Sequence, residues 1–419
     1  MALDTVIFLA FIFSFFTTNI FGWGILHENL FFVFSAAIGI IYLLMDTLKF
    51  FKQWQIVIKI SLILLYSGVS IFLVTGNLIQ LRHNSLDTNY INDSALQTEI
   101  AGRFVLLGFN PYVKDYDNTS LMKLPYKDQA GRTINPAVYH NVIPPFLILT
   151  SSAGYRVFAR VFGFFDVRLI FLLALFSVIA LGFVKFRMKQ ALLLFLILIC
   201  LNPVFSLNLI QGTNDIVIVA FLLWSLFFLE KKNIFLSAIL LGISLATKQT
   251  AWFAFPFYLF YAFQSIGKKK GLQFLLIGCA SGFVWYLPFL LNNFPHTFGN
   301  LIFYPSSHAY SDTTTHPIEG FGFSQLLYSL GFIKSIYANF PFWLFQVSIG
   351  VLLLPYLLLS LKKNLTGSKV LLATAVLTGI VWFFNRYFLE SHLAYVSVLA
   401  AAAFIWNLPY LSTRRITKR

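Results

Sequence analysis

The feature that most constrains this chain is a series of apolar windows, each roughly 16–24 residues long, that recur along its 419 residues. An α-helix needs about 20 apolar residues to cross the hydrocarbon core of a bilayer. Only 11% of the residues are charged, whereas soluble domains carry roughly 25%. The composition therefore excludes a soluble enzyme, because so few charges cannot cover the surface of a chain of this length.

The windows predict an all-α, polytopic membrane protein of about twelve transmembrane helices. We expect the spans at residues 5–23, 29–48, 56–78, 166–184, 191–209, 213–229, 233–249, 250–265, 272–291, 341–360, 369–385 and 391–409, with the division between 233 and 265 left open. They divide one membrane domain, residues 1–419, into three N-terminal spans (1–80), a large outer loop (81–165), six spans (166–291), a second outer loop (292–340), and three spans with a basic inner tail (341–419).

If these spans alternate in direction, the charged residues behind the formal net charge of +15 divide unequally between the two sides of the membrane. One side then holds 18 of the 30 Lys and Arg residues with 3 of the 15 acids, and the other side holds the remaining 12 cations with 12 acids. Short cytoplasmic loops collect Lys and Arg, so both termini are expected inside. All seven histidines fall on the outer side. The positive charge is therefore a topology signal, and nothing supports a nucleic-acid partner.

The first outer loop contains two predicted helices. Apolar residues recur at helical spacing over about 94–107, and Ser94 with Gln97 has capping-box spacing at the start. Gly108 ends this helix, and a second apolar helix is expected at about 146–162. Both helices are expected to lie in the membrane interface with their apolar stripes in lipid.

Several charged residues near the outer boundary have a structural and a functional interpretation. Asp93 is at the head of the first interfacial helix, where a carboxylate interacts favourably with the helix dipole. Glu99 and Arg103 are four residues apart and can pair on the helix surface. Lys248 is near the end of an apolar span, where a cation either snorkels to the interface or serves a function.

Other candidates lie at helix ends and in loops. Asn214 and Asp215 start the sixth span as a helix-cap pair or as site residues. Arg386 and His392 surround the outer end of the last two spans, and Arg is suited to bidentate phosphate contact. Asp115 and Asp117 are typical of turn chemistry, with a divalent metal left open. His140, His308 and His316 are taken as ordinary loop residues, since they lack ligand spacing.

A series of short motifs then carries a family resemblance. In chain order they are Asp-x-x-x-Gln-x-Glu from Asp93 to Glu99, residues 108–112 (GFNPY), Asp115-Tyr116, residues 135–137 (NPA) with His140, Pro144-Pro145, residues 166–168 (DVR), residues 211–215 (QGTND), residues 246–249 (ATKQ), residues 317–322 (PIEGFG), and residues 385–387 (NRY) with His392. The series resembles C-type membrane glycosyltransferases of the family 87, mannosyltransferase-like group. The chain departs from them in two extra N-terminal spans and in Asn92, where many relatives have His or Asp.

The resemblance implies transfer of a sugar, mannose among the candidates, from a polyprenyl-phosphate donor to an acceptor hydroxyl at the outer face of the plasma membrane. Such a transfer needs a base for the hydroxyl and cations for the leaving phosphate, with inversion at the sugar carbon. The base would be Asp93. The donor phosphate would contact Lys248, Arg386, His392 and Arg103, and the acceptor pocket would include Gln97, Glu99, Asp115, His140, Asn214 and Asp215. A metal is not required, and the acceptor is a glycan, a lipid or a protein.

Two alternatives remain. Twelve spans with both ends inside is also the count of major-facilitator carriers, so a transporter or flippase of lipid-linked sugars is the second hypothesis. Such carriers have two similar halves, whereas here one large loop follows the third span and the other follows the ninth. A polysaccharide polymerase or ligase is the third hypothesis, because it too uses lipid-linked sugars at the outer face.

Overall fold

The fold is seen in a computed structural model that describes residues 2–17, 28–48, 53–85, 90–187, 189–305 and 315–408. The structure is 76% helical with almost no strand, so the chain is all-α as predicted. His27, His308 and the inner cations at positions 49, 52, 414, 415, 418 and 419 lie outside the described residues.

The N-terminal region is a group of apolar helices joined by a buried ionic cluster. Lys59 donates to Asp4 at 2.9 Å and to Asp46 at 2.6 Å, and all three side chains are largely buried. The ion pairs bring the two acids and the cation together, and their assignment to the inner side of the membrane stays a prediction. The helices are α1 Leu3–Thr17, α2 Glu28–Thr47, α3 Gln55–Ser67 and α4 Val74–Ser85, with a π-helical turn at Gly68–Leu73 between the last two.

The first outer loop contains α5 Asp93–Leu106 and α6 Pro145–Phe162, close to the predicted bounds. The predicted cap is wrong, because the N-cap is Asn92, whose side chain accepts from the Ser94 amide. The expectation that the α5 stripe lies in lipid is also wrong, since Leu96 and Ile100 are buried in the protein core. Short 3-10 turns at Ser120–Lys123 and Pro136–Val138 connect the two helices.

In the middle of the chain, helices lie at the positions of the predicted spans, with two irregularities. The span expected at 191–209 is a bent pair, with an angle of 49° at the break. The open division between 233 and 265 falls at a 3-10 segment, Gln249–Ala254. The helices are α7 Arg168–Lys185, α8 Lys189–Phe195 with a π-helical extension Leu196–Cys200, α9 Pro203–Gln211, α10 Asp215–Glu230, α11 Ile234–Leu245, α12 Phe255–Ile266 and α13 Lys268–Asn292.

In the C-terminal third, the second outer loop is attached to one end of the helix bundle. Strand β1 Glu319–Gly320 pairs in parallel with β2 Tyr387–Phe388, which joins the loop to the link between the last two helices. The helices are α14 Phe294–Phe298 with a π-helical turn Gly299–Phe303, α15 Phe323–Ser329, α16 Phe342–Lys363, α17 Gly367–Phe383 and α18 Glu390–Trp406.

Among the described residues, five helices are long and apolar enough to cross a membrane, or six if the bent pair counts as one span. Shorter apolar helices lie at Leu3–Phe15, Ile234–Leu245, Gly367–Phe383 and Glu390–Trp406. These helices mark the chain as a membrane protein, and the count of twelve spans stays a prediction.

Helices α11 and α13 meet through glycines. Gly278 and Gly282 are four residues apart on α13, a spacing that lets two membrane helices approach closely. A Cβ atom added to Gly242 of α11 would overlap the Gly278 carbonyl oxygen and the Ser281 hydroxyl. The close approach therefore depends on the missing side chain at Gly242.

We expect Gly242→Ala to destabilise the protein by about 1–3 kcal/mol, because the added methyl group must displace backbone atoms of α13. Gly350→Ala on α16 is the matched control, since a Cβ there meets nothing within 4 Å. The control should be neutral or slightly stabilising, as Ala favours helix over Gly. Thermal unfolding of the detergent-purified variants measures both. Equal unfolding temperatures for the two variants would contradict the proposed role of Gly242.

Candidate active site

The head of α5 presents Asp93 with its neighbours in fixed positions. The Asn92 amide donates to the Gln211 carbonyl at 2.7 Å, which ties this end of α5 to the end of α9. The Asn135 side-chain amide donates to one Asp93 carboxylate oxygen at 2.9 Å, and the Ser94 amide donates to the other at 2.7 Å. Asp93 is partly exposed, so its carboxylate is held in orientation and stays accessible.

A cavity of about 190 Å³ brings Asp93 together with Lys248 and His392. The three residues come from the heads of α5, the 3-10 segment after α11, and α18, which are far apart in the chain. The cavity thus combines a carboxylate, an ammonium group and an imidazole. Its other lining residues are Asn92, Ser94, Val142, Thr213, Gln249, Thr250, Pro305, Trp382, Tyr387, Leu389 and Ser391.

The Lys248 ammonium group is oriented by an ion pair. It donates to Asp215 at 2.8 Å, and the Asp215 side chain is almost completely buried whereas that of Lys248 is 22% exposed. Asp215 is the first residue of α10, and neighbouring Asn214 precedes it without a side-chain cap bond. Asp215 therefore orients the Lys248 side chain and does not itself line the cavity.

The His392 ring has a defined orientation. The Leu389 backbone amide donates to its Nδ1 at 3.1 Å, so Nε2 carries the proton in the neutral ring. The ring packs on Trp382 with 4.0 Å between centroids. His392 is consequently a candidate hydrogen-bond donor from the cavity wall.

Sequence reasoning missed two further groups close to Asp93, namely His316 and Glu319. The His316 Nδ1 donates to the Pro317 carbonyl at 2.9 Å, and its Nε2 lies 3.4 Å from a Glu319 carboxylate oxygen. His316 had been taken as an ordinary loop residue, and Glu319 had been noted only within the string 317–322. That string was the available signal in the sequence. The β1–β2 pairing places Glu319 beside Tyr387, which lines the cavity with Asp93.

Burial shifts the titration of both groups. Burial, together with the negative charges of Asp93 and Asp128, raises the pKa of Glu319 to about 7, against the opposite effect of Arg132. Burial lowers the pKa of His316 to about 4, although the nearby Asp93 charge favours its protonated form. Near neutral pH, His316 is therefore neutral and Glu319 changes its charge next to Asp93.

Arg386 has contacts different from the phosphate contact expected for it. Its guanidinium donates to three backbone carbonyls, those of His316, Ala338 and Ile336, and its side chain is buried. The Arg386 carbonyl in turn accepts from Ser324. Arg386 is not among the residues that line the cavity with Asp93. It fastens the second outer loop to the link between α17 and α18.

Three other predicted residues on α5 lie away from this cavity. The Gln97 side chain donates to the carbonyls of Ala137 and His140 and supports that loop from behind. Arg103 does not pair with Glu99, which contradicts the expected surface pair. Its guanidinium lies 4.5 Å from the centre of the Tyr155 ring.

Glu99 belongs to a buried ionic network. It accepts from Arg82 in bidentate fashion at 2.7 and 2.9 Å and from the Val167 amide. Arg82 also pairs with Asp166 at 2.8 Å, and Asp166 accepts from the fully buried Arg168. These contacts connect α4, α5 and the start of α7. The role of Glu99 is therefore to hold α5 in position.

The predicted pocket residues Asp115 and His140 line a second cavity of about 440 Å³, with Tyr139 and His296. His140 is bonded to Asn300 at 2.9 Å and stacks on Tyr304. The two cavities are adjacent along two segments of chain. Asn141 and Gly299–Asn300 line the outer one, whereas Val142 and Pro305 line the one with Asp93.

The part of the chain that the structure describes contains no group of three or more His, Cys, Asp or Glu side chains that could hold a metal ion. Asp115 and Asp117, which had been left open as metal ligands, are exposed loop residues.

The cavity with Asp93 contains a carboxylate, a cation and an imidazole, which are the groups that the resemblance to membrane glycosyltransferases led us to expect. Residues 100–264 match the sequence model of a family described as alpha-(1->6)-mannopyranosyltransferase, N-terminal domain. The match fits the resemblance to C-type mannosyltransferase-like proteins and supports a glycosyltransferase. No curated protein and no solved structure gives a significant match. Asp93 and His392 lie outside the matched segment, whereas Lys248 lies inside it.

We expect Arg386→Lys to loosen residues 315–340, because one ammonium group cannot replace a fork that reaches three carbonyls. Each lost charged hydrogen bond costs about 1.5–3 kcal/mol. Hydrogen exchange should therefore speed up in this loop and stay unchanged in α10. Arg160→Lys, on the exposed face of α6, is the control. Unchanged exchange combined with weaker donor binding would instead indicate that Arg386 contacts the donor phosphate.

Proposed function

We propose that this protein is a mannosyltransferase that takes the sugar from a polyprenyl-phosphate donor and transfers it to an acceptor hydroxyl at the outer face of the plasma membrane. The observation that carries the proposal is the cavity shared by Asp93, Lys248 and His392. The family match over residues 100–264 supports the choice of a mannosyl group.

Asp93 is the proposed general base. The acceptor hydroxyl loses its proton to the carboxylate as its oxygen forms a bond to the sugar C1. The bond between C1 and the phosphate oxygen breaks, and polyprenyl phosphate leaves with the electron pair. Attack from the side opposite the phosphate inverts C1. The hydrogen bonds from Asn135 and Ser94 keep the carboxylate oriented for this step.

Lys248 and His392 are the proposed contacts of the leaving phosphate. The transfer develops negative charge on the phosphate, and a pre-oriented ammonium group and an N–H donor stabilise that charge. The ion pair with Asp215 keeps the Lys248 side chain in one geometry before the donor binds. Because the phosphate is a good leaving group, we propose that no metal or general acid is needed.

The larger outer cavity is the proposed path of the acceptor. It is lined by Asp115, Tyr139 and His140, and its lining residue Asn141 directly precedes Val142, which lines the Asp93 cavity. A cavity of about 440 Å³ with aromatic and polar walls suits a carbohydrate better than an apolar acceptor. The acceptor is therefore proposed to be a glycan whose hydroxyl reaches Asp93.

The proposed membrane arrangement has twelve spans with both termini in the cytoplasm. Glu230, the third acid assigned to the inner side, pairs with Lys185 from that same side, as Asp4 and Asp46 pair with Lys59. The large outer loops then carry the reaction on the opposite face. An outer face requires a donor whose sugar is attached to a lipid, since nucleotide sugars are cytoplasmic solutes.

We expect Asp93→Asn to reduce transfer by about 10²- to 10⁴-fold, because the amide cannot accept the hydroxyl proton. The substitution keeps the shape of the side chain but removes one of two acceptor oxygens, so membrane insertion should be unchanged and the free energy of unfolding should fall by no more than about 1–2 kcal/mol. The assay is transfer from purified polyprenyl-phosphate mannose, followed by mass spectrometry. Asp117→Asn in the exposed loop is the control and should retain activity. Full activity of Asp93→Asn would remove Asp93 as the base.

The charge of Glu319 predicts a pH dependence of donor binding. Its pKa of about 7 lies above its ordinary value, so the carboxyl is neutral below pH 6 and ionised above pH 8. The ionised form adds a negative charge near the donor phosphate, so the KM for the donor should rise on the order of fivefold between pH 6 and 8.

Glu319→Gln should abolish this rise, because the amide stays neutral over the whole range. Donor KM is measured from pH 5.5 to 8.5 in both proteins. Glu390→Gln, an exposed acid at the start of α18, is the control and should keep the dependence of the unmodified chain. The same pH profile in Glu319→Gln would show that another group titrates.

A further inference from the structure

We infer that Gln249 is a positioning residue that holds the acceptor in place relative to the donor, an inference that rests on the proposed function. Gln249 lines the cavity that contains Asp93, called the transfer cavity below. Its side-chain amide nitrogen donates to the Val142 carbonyl at 2.8 Å and to the Leu301 carbonyl at 3.2 Å. Because both partners are carbonyl oxygens, the nitrogen end of the amide must face them, and its two protons serve both.

The two segments that Gln249 joins also form walls of the outer cavity, the proposed path of the acceptor. On the first segment, Asn141 lines the outer cavity and the next residue, Val142, lines the transfer cavity. On the second segment, Asn300 lines the outer cavity and directly precedes Leu301. Gln249 therefore joins the two segments one residue away from the wall of the outer cavity.

The outer cavity has its own contacts between the same segments. The His140 ring is bonded to the Asn300 side chain at 2.9 Å, and the Asn300 amide donates to the Tyr112 carbonyl at 2.8 Å. These bonds hold the walls of the outer cavity to one another. The bridge from Gln249 adds a connection from these walls to the transfer cavity.

Gln249 directly follows Lys248, the proposed contact of the leaving phosphate. The Lys248 ammonium group is held by Asp215 at 2.8 Å. Neighbouring Cα atoms are about 3.8 Å apart, so one dipeptide contacts the donor through its first side chain and holds the acceptor segments through its second. Gln249 thereby fixes the distance between an acceptor in the outer cavity and the donor phosphate.

This distance decides whether the acceptor or water receives the sugar. In hydrolysis, the oxygen of water forms the bond to the sugar C1, and its proton passes to Asp93. The bond between C1 and the phosphate oxygen breaks, which yields free sugar and polyprenyl phosphate. A misplaced acceptor hydroxyl reacts more slowly, whereas water needs no positioning by the outer cavity. Loss of the bridge should therefore shift the reaction from transfer to hydrolysis.

The ratio of the two products tests the inference. Purified protein is given polyprenyl-phosphate mannose and, as the acceptor probe, methyl α-mannoside, and free and transferred mannose are measured by mass spectrometry. Gln249→Met removes both N–H donors and keeps the length of the side chain. It should raise the ratio of free to transferred mannose on the order of tenfold and leave the donor KM unchanged.

Gln346→Met on α16 is the matched control. The Gln346 amide also donates to a backbone carbonyl, that of Val381 at 3.2 Å, but Gln346 lines neither cavity. Its product ratio should equal that of the unmodified chain. Gln249→Asn is the second variant, because it keeps the amide but is one methylene group too short to bridge both carbonyls. It should shift the ratio in the same direction as Gln249→Met.

Hydrogen exchange tests the bridge without any substrate. Exchange at residues 139–142 and 299–304 should be faster in Gln249→Met than in Gln346→Met, because the two segments have lost their common partner. Equal exchange in the two variants would contradict the bridge.

The product ratio separates a failure of this inference from a failure of the proposed function. If the unmodified chain transfers no mannose, the proposed function fails and this inference falls with it. If the unmodified chain transfers mannose and Gln249→Met has the same product ratio, only the role of Gln249 is refuted. A residue needed only for folding would lower both products together, so an unchanged ratio at lower activity also refutes it.

Discussion

The position of α5 depends on a buried ionic network, and much of the candidate site depends on α5. Arg82 pairs with both Glu99 and Asp166, and Asp166 also pairs with Arg168. Each of these ion pairs is shorter than 3 Å. Burying four such groups is costly unless each is paired, and removing one partner typically destabilises a protein by about 3–5 kcal/mol. The network has no net charge, so it adds little to the electrostatic field around the outer loops. It leaves Asp93, at the other end of the helix, in a fixed place.

A second constraint divides the charged residues into those that support and those that face the cavity. Asp215 and Arg386 are both largely buried, and both are bonded within the protein, since one Asp215 oxygen accepts from the Lys248 ammonium group and the Arg386 guanidinium donates to backbone carbonyls. Lys248 and His392 retain part of their hydrogen-bonding capacity toward the cavity. A site of this kind needs surrounding polar contacts that hold the charged side chains in place. A charged group that moves by about 1 Å stabilises the charge that develops in the transition state less well.

The helices were predictable, because long apolar runs have few alternatives to a helix in a membrane. The predicted spans overlap helices over their described residues, although the span at 191–209 is a bent pair and that at 250–265 begins as a 3-10 segment. The count of twelve stays a prediction. The burial of Leu96 and Ile100 was not predictable, since an apolar stripe looks the same whether it faces lipid or protein. The N-cap was assigned to Ser94 instead of Asn92, because both residue types cap helices and they are only two positions apart.

The contacts of charged residues were harder to predict than the helices. Asp93, Lys248 and His392 were selected because the family resemblance ordered them along one face, and the fold brings them together. Arg386 was assigned to phosphate because a guanidinium is suited to bidentate phosphate contact. Its three carbonyl partners are 48 to 70 positions away, and no pattern in the sequence joins them. Glu99 pairs with Arg82, which is 17 residues away on another helix. The i to i+4 spacing that predicts ion pairs within one helix does not apply to such a pair.

The anchor at Arg386 has a consequence for how such a protein can diversify. Among the described residues, the hydrogen bonds of the Arg386 guanidinium go to main-chain carbonyls, so they depend on the course of the second outer loop and not on its side chains. The exposed residues of 315–340 can then exchange side chains while the loop keeps its path, whereas its buried core of Ile318, Ile333 and Ile336 has to stay apolar. Glu319 and His316 lie on that loop. Point substitutions in this segment can therefore change the charge next to Asp93 without a new backbone.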